Sequence, residues 1–119
     1  TATPALEPLF EDTAVQPGTH INAIGAFTPH MVEIPQETVS RAFVVVDDMA
    51  AAAREAGDLI QAAREPDATL GDLLTGRIGS SGAQVTLFKS VGIASQDVAA
   101  AAAALARADE MGCGVEIDR

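Results

Sequence analysis

Four consecutive residues, Phe43-Val44-Val45-Val46, form a run that is apolar on both of its faces. Aromatic and β-branched side chains favour extended backbone, and a strand without polar alternation has to be covered on both sides. That combination points to a parallel sheet flanked by helices. Thr19 to Ile24 forms a second, mostly apolar run, entered through Pro17-Gly18 and left through Gly25, as expected of a buried strand bounded by turn residues. Val85-Thr86-Leu87-Phe88 is a third.

Helical signals separate these runs. Pro35 suits the first turn of a short helix reaching Ala42. After Asp47-Asp48, one of which can cap it, a helix is predicted to about Arg64. Its apolar residues Met49, Ala52, Ala53, Ala56, Leu59, Ile60 and Ala63 share one face. Glu65-Pro66-Asp67 breaks it. Thr69-Leu70-Gly71-Asp72 has the spacing of a capping box, with Asp in place of Glu, and opens a short helix closed by Gly76. Gly79 to Gly82 reads as a loop of small residues. A long helix is predicted from about Ser90 to Met111, stopped by Gly112, then a brief strand at Val115-Glu116-Ile117. Alternating strands and helices give an α/β fold, half of a doubly wound parallel sheet.

Composition narrows the possible partners. Seven Lys and Arg against 17 Asp and Glu give a formal charge of −10, with no basic patch to neutralise phosphates, so nucleic acid and anionic membranes are not expected partners. No apolar run approaches the roughly 18–20 residues of a membrane span. The single cysteine, Cys113, excludes an internal disulfide, fits a reducing cytoplasm and reads as a quiet structural thiol. The N-terminus shows no basic region followed by an apolar core, as a signal peptide would. The chain starts at Thr1, in what reads as the end of a strand, and is expected to be a fragment or a processed piece.

In open parallel sheets, ligands bind beyond the carboxyl ends of the strands. Three such ends are predicted to share one edge. Thr1-Ala2-Thr3 offers hydroxyls and amides. Ile24-Gly25-Ala26 offers a backbone that a ligand can approach closely at Gly25. Lys89-Ser90-Val91 places a serine near a helix start, where its plainest use is as an N-cap. Together they form a rim for the nicotinamide end of a dinucleotide. The Gly-x-Gly-x-x-Gly turn that would hold a pyrophosphate does not occur in the sequence. Asp47 and Asp48 could meet a ribose or a metal, but helix capping is the simpler use. His20 is read as a hydrogen-bonded core histidine, His30 as a loop residue without a partner, and Glu33 as bonded to loop amides. The alanine-rich stretch Ala99 to Ala106 gives a smooth helix face suited to close packing.

Gly18-Thr-His-Ile-Asn-Ala-Ile-Gly25, Val44-Val45-Val46-Asp47, Glu55-Ala56-Gly57-Asp58, Leu73-Leu74-Thr75-Gly76 and Val85-Thr-Leu-Phe-Lys-Ser-Val-Gly92 occur in that order. In this the chain resembles the ornithine cyclodeaminase/mu-crystallin family over nearly its whole length. The resemblance implies that residues 1–89 are the C-terminal half of an NAD(P)-binding Rossmann domain. Residues 90–119 would be the helix and strand that return to a dimerisation domain, in a homodimeric and roughly threefold longer subunit. It implies that Thr1, Ile24, Gly25, Ala26 and Ser90 contact the cofactor, NADPH or NADH, and that Val91 lies near the substrate.

Cyclodeaminases of that family place a catalytic Asp directly after the Gly-Gly or Gly-Ala pair, where this chain has Phe27. The form Gly-Ala-Phe-Thr-Pro is more similar to the branch reducing cyclic ketimines such as pyrroline-2-carboxylate. The expected function is therefore part of a cytoplasmic NAD(P)H-dependent imine reductase in amino-acid metabolism, inactive as this piece alone. An ornithine cyclodeaminase or amino-acid dehydrogenase is the alternative within the family. A non-catalytic, crystallin-like binding module is the alternative outside enzymes.

Overall fold

Four strands make one parallel sheet: β1 (His20–Ala23), β2 (Phe43–Val46), β3 (Ala68–Thr69) and β4 (Thr86–Lys89), in the spatial order β1-β4-β2-β3. The computed structural model describes residues 1–79, 82, 85–115 and 117. β4, the last of the described strands, lies between β1 and β2, with Leu87 opposite Ile21 on one side and Val44 on the other. β3, only two residues long, is not signalled in the sequence. It pairs with β2 because Asp67, just before it, accepts from the Val44 amide at 2.7 Å and donates its own amide to the Val44 carbonyl at 2.8 Å.

One face of the sheet carries the core. Ile21, Ala23, Val44, Val46, Val85 and Leu87 pack against Ile34, Val39, Ala42, Ala52, Ala56 and Leu59. The helices on that face are α1 (Gln36–Arg41), α2 (Met49–Glu55) and α3 (Gly57–Gln61). Pro35 is the N-cap of α1, one position before the first helical turn expected of it. Thr38 and Arg41 of α1 are tied to Asp12, at 2.6 Å and 3.0 Å, in a short 3-10 turn over Asp12–Ala14. β2 is covered on both faces, with Val44, Val45 and Val46 buried. β1 instead alternates, leaving His20 and Asn22 exposed.

The single helix predicted from Asp48 to Arg64 is two helices. Asp48 caps α2 by accepting from the Ala51 amide at 2.7 Å. The break falls at Ala56-Gly57 because the Gly57 amide donates to the Ala26 carbonyl at 3.0 Å, and a Cβ there would lie 2.0 Å from the Met31 carbonyl oxygen. Contact with the loop after β1 thus overrides local helix propensity. α4 (Leu70–Leu74) does open with the capping box: Thr69 and Asp72 exchange both reciprocal bonds.

α5 (Ala94–Met111) starts later than predicted, with Ile93 as N-cap and no side-chain cap. Ser90 is not its cap. Gly112, at φ 61°, ends it, and the Cys113 amide closes the turn onto the Ala108 carbonyl at 2.9 Å. Cys113 itself is exposed. None of the α5 residues is buried. The strand predicted at Val115–Ile117 centres on Glu116, and part of the Gly79–Gly82 loop is Ser80 and Ser81; all three lie outside the described residues. Val115 and Ile117 are exposed and outside any strand. No described helix is long and apolar enough to cross a membrane.

Candidate functional site

The parallel register puts Ala23, Lys89 and Val46 in one row, so Ile24, Ser90 and Asp47 follow together at the carboxyl edge. Thr1 joins this row. Its amino group donates to the Asn22 carbonyl at 2.7 Å and its carbonyl accepts from the Ile24 amide at 2.9 Å, the bonding of a parallel neighbour beside β1. The three strand ends that the sequence places on one edge are therefore adjacent. Ile24 is 48% exposed and Phe27 is 50% exposed, whereas Gly25, Ala26 and Ser90 are buried beneath them. Val91 is half-buried and packs against the core.

Ser90 does different work from the capping expected of it. Its hydroxyl donates to Asp47 Oδ2 at 2.6 Å, and its amide donates to the Ala23 carbonyl at 3.0 Å. Asp47 Oδ2 also accepts from the Gly92 amide at 2.8 Å, so Asp47 ties the turn after β4 to the end of β2. Of the two aspartates only Asp48 caps a helix. The described residues contain no group of three or more His, Cys, Asp or Glu able to hold a metal.

Gly25 is required by the protein's own packing. A Cβ on it would lie 2.2 Å from the Thr3 carbonyl oxygen and 2.5 Å from the Glu33 carboxyl. The next residue, Ala26, has φ 49°, a left-handed conformation that L-residues seldom adopt. It is held there from both sides: its amide donates to the Thr3 carbonyl at 3.4 Å and its carbonyl accepts from Gly57.

Beneath this turn lies a buried charged group of which the sequence singles out only Glu33. Lys89, Asp58 and Glu33 are each at most 1% exposed. Lys89 Nζ donates to the Gly25 carbonyl and sits 3.0 Å from Asp58 Oδ2, which makes no other polar contact. Asp58 Oδ1 accepts the amides of Glu33 and Ile34 at 2.7 Å and 3.0 Å. Glu33 in turn accepts from the Thr3 amide at 2.6 Å and from the Thr3 and Thr1 hydroxyls at 3.0 Å and 2.9 Å. Burial pushes the Glu33 carboxyl up, but these donors and the Lys89 charge outweigh it and hold the group below its ordinary value. The expectation that Glu33 bonds to loop amides is met by the Thr3 amide. The available signals for the others were a lysine ending an apolar strand and Asp58 beside Ala56 and Leu59 in an apolar stretch.

The two histidines stand apart from this edge. His30 is exposed in the loop. His20 is hydrogen-bonded as expected, to Thr86 Oγ1 at 2.7 Å and Asn22 Oδ1 at 3.3 Å, but it is exposed, because the face of β1 that carries it has no helix over it. A groove of about 720 Å³ lies there, lined by His20, Asn22, Phe43, Val45 and Phe88 among others. Its polar side chains bond to one another instead of converging on a ligand, so the carboxyl edge remains the better candidate.

The sequence model described as the ornithine cyclodeaminase/mu-crystallin family matches residues 1–111. Ketimine reductase mu-crystallin of Mus musculus is 38% identical over 101 residues, which cover 85% of this chain and 32% of that protein. Delta(1)-pyrroline-2-carboxylate reductase of Bacillus cereus is 38% identical over 128 aligned residues, covering 99% of this chain and 39% of its own. Among solved structures, Thermococcus litoralis Delta(1)-pyrroline-2-carboxylate reductase in complex with NADH and L-proline has a TM-score of 0.86 at 31% identity. That match covers 98% of this chain and 39% of the solved one. The chain thus spans about a third to two-fifths of the length of these relatives.

Proposed function

We propose, since this chain belongs to the ornithine cyclodeaminase/mu-crystallin family, that it forms the nicotinamide side of an NAD(P)H-dependent reductase of cyclic ketimines of the pyrroline-2-carboxylate type. The observation that carries the choice of reaction is Phe27, half-exposed beside the Gly25-Ala26 turn. A phenyl ring neither accepts a proton nor orients a water, as the acidic residue expected there in a cyclodeaminase would. Relatives named for ketimine and pyrroline-2-carboxylate reduction support the same choice.

The edge suits a nicotinamide. Ile24 and Val91 offer apolar surface for a ring face. The Ser90 hydroxyl gives its proton to Asp47 and receives one bond from the Gly92 amide at 3.2 Å, which leaves a lone pair for a carboxamide NH2. Reduced nicotinamide, when bound, supplies hydride to the carbon of the C=N bond. These residues bind and orient its ring. Thr1, Ile24, Gly25, Ala26 and Ser90 are the proposed cofactor contacts, and Val91 is the proposed substrate neighbour. The pyrophosphate finds no glycine turn in these residues, so the isolated chain is expected not to bind NADPH saturably.

In this reading residues 1–89 are half of the NAD(P)-binding domain, and residues 90–119 lead to a dimerisation domain. Support for a homodimer comes from α5, whose Val98, Leu105 and Met111 are all exposed. The lone cysteine supports a cytoplasmic setting. The full-length protein should oxidise NADPH or NADH when given pyrroline-2-carboxylate and should release no ammonia from ornithine with NAD. The reverse pattern refutes the reductase, and cofactor-free oligomers with neither activity indicate the crystallin-like alternative.

A further inference from the structure

We infer that Lys89 is a positioning residue: from its buried ion pair with Asp58 it fixes the Gly25-Ala26 turn that meets the nicotinamide. The inference rests on the cofactor reading above and goes beyond it, because Lys89 lies beneath the proposed contacts and touches none of the surface a ligand would reach.

The argument starts from the cost of the arrangement. A fully buried ammonium and carboxylate each lose several kcal/mol of hydration, and an apolar pair of similar volume would often be at least as stable. Lys89 is the last residue of the central strand, and its side chain enters the helix-covered face, where Ala23 and Val46 beside it are apolar. What the charge gains there is directional bonding. The ammonium has three donors; it directs one at the Gly25 carbonyl and is paired with Asp58.

Asp58 extends the hold by accepting the Glu33 and Ile34 amides, and Glu33 by accepting from Thr1 and Thr3. The two ends of the loop after β1 are thus bound to one cation. The turn also needs holding, since Ala26 occupies a left-handed conformation that costs roughly 1–2 kcal/mol in an L-residue. Released from Lys89, the Gly25 carbonyl loses its buried donor and the turn keeps only the long Ala26–Thr3 bond and the Gly57 bond to Ala26, so a backbone wall set for a flat ring would loosen.

The test uses the full-length protein. In the wild type, without ligand, the Ala26 and Gly57 amides should exchange with deuterium as slowly as the Leu87 amide in the core of β4. Loop-like exchange at those two amides overturns the inference with no variant needed. Lys89→Met alone strands a buried carboxylate and can unfold the protein, so the informative variant is Lys89→Met with Asp58→Asn. The asparagine keeps an acceptor for the Glu33 and Ile34 amides while both charges are gone.

For that variant, folded by circular dichroism, NADH fluorescence titration should show affinity weakened by about tenfold. Ala26 and Gly57 exchange should accelerate, and the KM for the cyclic imine should stay within about twofold of wild type. A folded double variant with wild-type NADH affinity, or with wild-type exchange at these amides, overturns the inference. A wild-type protein that binds no NADH refutes the cofactor reading itself, and the exchange data tell the two failures apart.

Discussion

Glu33 is where a single side chain most affects solution behaviour. Its carboxyl ionises more readily in the folded protein than its ordinary value of 4.5, because the Thr1 and Thr3 donors and Lys89 outweigh burial. The unfolded chain therefore binds more protons between the two values, and stability rises with pH there. The contribution is complete above the unfolded value and is lost as pH falls through the folded one. Urea unfolding followed between about pH 6 and pH 3 should show wild type losing stability more steeply than Glu33→Gln. Parallel curves would contradict this account. Asp12 and Asp72 are also held low, mainly by the Thr38 and Thr69 hydroxyls, but both are present in the variant too and drop out of the comparison. At this scale the sequence was legible where partners are neighbours in the chain. Asp48 and the Thr69–Asp72 box could be read from spacing alone. Lys89 and Asp58 could not, since their partners come from a loop and strands far off in sequence.

Among the elements, the division of α2 from α3 best shows tertiary contact governing local structure. The apolar spacing from Met49 to Ala63 reads as one helix, but of that face only Ala52, Ala56 and Leu59 are buried, while Met49, Ala53, Ile60 and Ala63 are exposed. What the spacing does not carry is the approach of the loop after β1, whose carbonyls occupy the space a side chain at position 57 would need. Gly57→Ala should therefore destabilise the fold by about 3 kcal/mol, at the upper end of overpacking effects. Gly71→Ala in α4, where the new Cβ would meet only Thr69 Oγ1 at 3.6 Å, should instead stabilise by about 0.5 kcal/mol through lost backbone freedom. Chemical denaturation of both variants tests the contrast. Equal effects would mean that Gly57 is no more constrained than an exposed helical glycine. The start of α5 was misplaced for a related reason: Ser90 has the right chemistry for a cap, but Asp47 takes its hydroxyl.

Over the whole molecule, the radius of gyration of 17.2 Å exceeds the roughly 13.5 Å expected for a compact chain of this length. The excess comes largely from α5, which buries no residue against the rest. At 18 residues α5 is only a little longer than the roughly 12–15 below which even an alanine-rich isolated helix is marginal in water. In the isolated 119-residue chain, α5 amides should exchange far faster than those of β4, and a partner covering Val98 and Leu105 should slow them. Equal protection without a partner would show that α5 is stable by itself. The parallel α/β class could be read from Phe43–Val46 and its neighbours, but the order of the strands could not, because periodicity says nothing about which strand lies beside which. That order bears on how the chain is made. Within this segment β1 and β2 precede β4 in the sequence, yet they never pair with each other; each is joined to the other only through β4. Until β4 is in place the sheet exists as two unjoined pieces, and the valine run of β2 has an open edge on which a neighbouring nascent chain could add. A strand that completes the middle of a sheet last makes assembly depend on late, long-range contacts, so slow closure follows from the topology itself.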